Sequence, residues 1–83
     1  MQNLVFLRLC PSTYFVGDDA PIAFPSLASA RRYARAFFEG TCNGVRVHFG
    51  STAEFHVLAS AEQEYPNATW TAGPRGGIRE EIA

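Results

Sequence analysis

The sequence predicts a small α+β domain, an antiparallel β-sheet with one amphipathic α-helix packed on one face. Three observations predict it. "NLVFLRLC" near the start and "AEFHVLA" around residue 55 alternate in the period of a strand. Between them, "PSLASARRYARAFFEG" repeats its apolar residues in the period of a helix. The whole chain, residues 1–83, has the length of a single domain. Its apolar fraction is 47%, with seven Phe, three Tyr and one Trp, enough for a packed core.

In the first strand Val5, Leu7 and Leu9 share one face, with Leu4, Phe6 and Arg8 on the other. Pro11 ends it. "TYFVG" reads as a short second strand, and "GDDAP" as a turn in which Asp18 and Asp19 can bond nearby backbone. "PIAF", between Pro21 and Pro25, is extended. Ser26 is the expected helix N-cap, the helix ends near Glu39, and Gly40 suits the position just beyond it. Leu27, Ala30, Tyr33, Ala34, Phe37 and Phe38 fall within an arc of roughly 140°. Arg31, Arg32 and Arg35 are expected opposite that arc.

"GVRVHFG" reads as a strand whose hairpin partner is "AEFHVLA". The expected register sets Val47 against Phe55 and Val45 against Val57, with His48 opposite Glu54 and Arg46 opposite His56. "SAEQEYP" has a capping-box pattern, Ser60 with Gln63, and reads as one helical turn stopped by Pro66. "ATWTA" is a last short strand carrying Trp70. Residues 74–83 read as a loose C-terminal tail. Trp70, Tyr65 or that tail are the candidates to cover Leu4 and Phe6 on the sheet face that the helix leaves open.

Charge narrows the function. Eight acids stand against seven arginines, with no lysine and a formal net charge of -1. That balance offers no global field to attract phosphate, so nucleic acid is not the expected partner. Arg31, Arg32 and Arg35 could still contact phosphates from one helix face, which makes a small DNA-binding or transcription-regulating protein the alternative reading. No export segment or membrane span is expected, so the expected compartment is the cytoplasm, with no membrane partner. Cys10 and Cys42 are then expected to be reduced and buried, with a disulfide between them left open. "NAT" at Asn67 fits a glycosylation sequon that has no meaning without secretion.

His48, His56 and Glu54 would share a sheet face and could in principle hold zinc, but their spacing matches no ligand motif. No serine sits in a nucleophile elbow, and "GPRGG" lacks the context of a phosphate loop. The expectation is a non-enzymatic protein with no catalytic residue, metal or cofactor. Asp18, Asp19, Glu62 and Glu64 lie in loop-like segments and, if clustered, could meet a basic protein surface.

A first strand, then "SLASARRYAR", then "GT" and a hairpin resembles some small phage-encoded anti-CRISPR proteins, best over residues 26–58. The resemblance implies a phage inhibitor that binds a bacterial CRISPR-Cas surveillance complex by protein–protein contact in the host cytoplasm. A type I complex is the better fit, because its basic subunits offer sites for acidic loops. Those proteins share no site motif, so the resemblance assigns no residue. The expected oligomeric state is a monomer or weak homodimer.

Overall fold

The computed structural model describes residues 3–39, 51–74 and 77–83. Five strands form one antiparallel sheet: β1 (Val5–Leu9), β2 (Ile22–Phe24), β3 (Ala53–Leu58), β4 (Ala68–Ala72) and β5 (Ile78–Ile82). Their spatial order is β2-β1-β3-β4-β5. One helix, α1 (Leu27–Ala36), continues into a 3-10 turn over Phe37–Glu39. The fold is the α+β class that the sequence predicts.

Register explains which face is buried. Leu9 faces Phe55, and Phe55 faces Trp70. One row along, Leu7 faces Val57, and Val57 faces Ala68. Opposite residues in an antiparallel pair share a face, so these rows form one apolar surface. The helix lies on it. Ala30 and Ala34, both fully buried, let its backbone approach the strands. Tyr33 and Phe37 meet the ring of Phe55 edge-on at 6.3 and 5.4 Å between centroids.

Ser26 caps α1 as expected, its hydroxyl accepting from the Ser29 N–H, and Ser29 returns the bond to Ser26. These bonds satisfy backbone donors that the first turn would otherwise leave open. The helix phase differs from expectation in one respect. Leu27 and Tyr33 flank the buried stripe and are partly exposed, and Arg31 turns toward the sheet rather than away.

"TYFVG" forms no strand. The Ser12 hydroxyl accepts from the N–H groups of Tyr14 and Phe15, while the Ser12 N–H donates to the Phe15 carbonyl. That local turn replaces strand pairing and aims Phe15 into the core, edge-on to Phe37 at 5.1 Å. Beyond it, Asp18 completes β1. β2 pairs only as far as Leu7, so Leu9 has an open edge. There the Asp18 carboxylate accepts from the Leu9 N–H at 2.9 Å, and the Asp18 N–H donates to the Leu9 carbonyl at 3.0 Å.

Three further expectations change. β3 is flanked by β1 and β4, and a strand has only two edges, so it has no place for the hairpin expected with residues 45–49. Those residues, with Cys42, Arg46 and His48, lie outside the described residues. The hairpin partner of β3 is β4, which places Trp70 on the helix side, fully buried, rather than over Leu4 and Phe6. The expected loose tail is instead β5 over residues 78–82, paired along its length with β4. Nor does "SAEQEYP" form a helical turn. The Gln63 side chain pins the loop between β3 and β4, accepting from Ala59 N–H at 2.7 Å and donating to the Tyr65 carbonyl and to Asn67 Oδ1.

Candidate protein-binding groove

An apolar groove of about 410 Å³ lies beside Leu27, at the N-terminal end of α1. Leu4, Val5, Leu27, Val57, Ala68 and Ile82 supply its apolar lining, with Asn67 and Glu80 adding polar groups. Leu4, Leu27 and Ile82 are 41%, 45% and 70% exposed, so its rim carries large apolar side chains in water. Local sequence puts them there. Leu27 is the first residue of α1, where the helix has just begun to cover the sheet. Ile82 is the last residue of β5 and Leu4 immediately precedes β1, so both stand at ends of strands.

The four acidic candidates divide into two pairs. Asp18 binds Leu9, which faces Phe55 near the start of β3. Glu62 and Glu64 are exposed in the loop that follows Leu58 at the far end of β3. The strand segment between these ends, Phe55 to Leu58, spans roughly 10 Å. The two pairs are therefore rooted at opposite ends of β3. Asp18 serves the backbone of β1, and Asp19 is exposed beside it. Ala59 and Asn67, at the two ends of the loop that carries Glu62 and Glu64, line the groove.

The arginine face also divides. Arg31 lies four residues after Leu27 and seven before Phe38, a spacing that returns it to the buried side of a helix. Its guanidinium sits 5.1 Å from the Trp70 ring centroid and donates to Glu80 Oε2 at 3.0 Å. Trp70 Nε1 donates to the same oxygen at 2.8 Å. One carboxylate thus orients a helix residue and a sheet residue together. Arg32 and Arg35 remain exposed on the outer side. The sequence signal for Arg31 was its heptad spacing to Phe38. Nothing local signalled Glu80, because its partner is 49 positions away.

His56 faces Arg8 across β1 and β3, and its Nδ1 lies 3.0 Å from Arg8 Nη2. A guanidinium only donates, so Nδ1 accepts and the ring is the neutral tautomer protonated on Nε2. Burial, then the Arg8 charge, lowers the His56 pKa below its ordinary 6.5, with Glu54 opposing. The unfolded chain therefore takes up protons first on acidification. The stabilisation from neutral His56 is complete above about pH 6.5 and is lost as pH falls through that value toward the lower folded pKa. A thermal melt should drop more between pH 7.5 and 5.5 for the wild type than for His56→Gln; equal drops would contradict this pairing. Among the described residues no group of three His, Cys, Asp or Glu is placed to hold a metal. Burial and then Glu54 raise the Cys10 pKa, against a lowering by Arg8, so it is a weakly reactive thiol.

Among the described residues no helix is long and apolar enough to cross a membrane. Comparisons with protein-family models, curated proteins and solved structures find no match.

Proposed function

We propose that this protein acts by binding another protein without chemistry of its own, and that its target is a bacterial CRISPR-Cas surveillance complex of type I. The observation that carries the binding reading is the groove with exposed Leu4, Leu27 and Ile82 on its rim, where the loop that carries Glu62 and Glu64 begins and ends at the lining residues Ala59 and Asn67. Exposed apolar side chains around a concave surface suit an anchor from a partner, and acids on that adjoining loop suit basic groups around that anchor. The basic nucleic-acid-binding subunits implied by the anti-CRISPR resemblance have that chemistry. The DNA-binding alternative has less support, since Arg31 is held by Glu80 and Trp70 and leaves Arg32 and Arg35 as an exposed pair.

The test is co-purification of the tagged protein from cells that express a type I complex. The expected result is stoichiometric retention of complex subunits, abolished by Leu27→Arg in the groove. Recovery of the folded protein free of those subunits would overturn the target. Recovery with DNA, lost on replacing Arg32 and Arg35, would install the alternative.

A further inference from the structure

We propose that β5 is a self-complementary edge through which two copies of this chain form a symmetric dimer with one continuous sheet. This inference is independent of the target proposed above. Among the described residues no strand pairs with the outer edge of β5.

Hydrogen-bond polarity sets which groups that edge presents. The Gly73 N–H donates to the Gly77 carbonyl, and the Ala83 N–H donates to the Asn67 carbonyl. Antiparallel ladders alternate bonded and non-bonded pairs. With Thr71 opposite Arg79 and Thr69 opposite Glu81, the alternation points the backbone groups of residues 79 and 81 toward β4. The N–H and C=O groups of Ile78, Glu80 and Ile82 therefore point outward.

A second copy adding antiparallel about a two-fold axis must pair these outward residues with each other. Centring the axis on Glu80 matches Ile78 with the partner's Ile82, and Glu80 with the partner's Glu80. All these are outward residues, so each facing pair exchanges both of its N–H···O=C bonds. Between them, Arg79 faces the partner's Glu81, and Glu81 faces the partner's Arg79. These are non-bonded positions, where Cα atoms approach to about 4.5 Å and side chains meet most closely. Every such register sets one like-charged pair on its axis, but centring on Arg79 or on Glu81 loses both Arg79–Glu81 pairs and leaves fewer residues paired. Charge thus selects one register from those that the backbone allows.

The side chains agree with that register. Ile78 packs on the core and Ile82 is 70% exposed, so pairing them covers apolar surface of Ile82 that the single chain leaves in water. The central carboxylates face each other, but each Glu80 is already bonded by Arg31 and Trp70 of its own chain. Arg79 and Glu81 are exposed opposite uncharged Thr71 and Thr69, so exchanging their charges does not disturb β4.

The test is sedimentation equilibrium with circular dichroism melts alongside. The wild type should approach twice the 9.1 kDa chain mass as concentration rises. Arg79→Glu and Glu81→Arg should each weaken self-association by about tenfold or more, with unchanged melts of the monomer. Mixed together, the two variants should form a heterodimer, because both facing pairs of residues 79 and 81 are then opposite in charge. The double exchange Arg79→Glu with Glu81→Arg should restore the homodimer. A wild type that stays at 9.1 kDa, or folded variants that fail to pair when mixed, would overturn the proposal.

Discussion

Trp70→Ala should cost about 3–5 kcal/mol of stability, the range for truncating a large buried aromatic. Trp70 is fully buried at the middle of the row that runs from Leu9 through Phe55 to Glu80. Its removal opens a cavity beneath α1. It also takes the ring from under Arg31 and one donor from Glu80. A domain of this size has a total stability of roughly 4–12 kcal/mol, so the loss is a large fraction of it and the thermal midpoint should fall by more than about 10 °C. Trp70→Phe keeps much of the apolar volume but loses the indole N–H, so it should fall between the two. Urea unfolding followed by circular dichroism checks both, since the chain's one Trp cannot serve as its own probe here. Wild-type stability in Trp70→Ala would mean that the helix does not lie over this strand.

Gly17→Ala should cost about 3 kcal/mol, toward the upper end for adding a methyl group to packed structure. A Cβ built on Gly17 would stand 2.7 Å from Pro11 Cδ, 2.8 Å from Pro11 N and 3.0 Å from the Leu9 carbonyl oxygen. Two of those atoms are backbone and the third belongs to a closed ring, so none can turn aside. Relief requires moving the arm between β1 and β2. That movement would pull Asp18 from the Leu9 N–H and loosen Phe15 in its aromatic pocket. By contrast, Gly73→Ala should be nearly neutral, because nothing lies within 4 Å of its added Cβ. The check is a pair of thermal melts. Equal midpoints for Gly17→Ala and Gly73→Ala would refute the close approach.

The parts of the fold that were legible in the sequence are those governed by local pattern. Ser26, the spacing of Ala30, Ala34 and Phe38, and the alternation in β1 and β3 each report on neighbours within a few residues. What was not legible depends on distant contacts. β5 reads as a polar tail because the middle residue on its inward face, Glu80, is charged, and Arg31 and Trp70, from other elements, hold that charge there. The neighbours of β3 could not be inferred from adjacency along the chain, since β1 comes from more than forty residues upstream. "TYFVG" has strand composition, yet the hydroxyl of Ser12 captures its N–H groups in a turn. The candidate site was half visible. Glu62 and Glu64 were identifiable as loop acids, but the groove at the ends of their loop joins Leu4, Leu27 and Ile82, which no sequence window holds together.

The groove end of the molecule is the proposed working surface, and interferometry on the isolated type I surveillance complex tests this most directly. Three folded proteins would be compared: wild type, Leu27→Arg at the groove and Asp19→Lys at the opposite end of the sheet. The expected result is strong binding by the wild type and by Asp19→Lys, with a loss of at least about tenfold for Leu27→Arg, because a charge would be driven into an apolar contact. Equal binding by Leu27→Arg, or loss confined to Asp19→Lys, would contradict the groove as the binding surface.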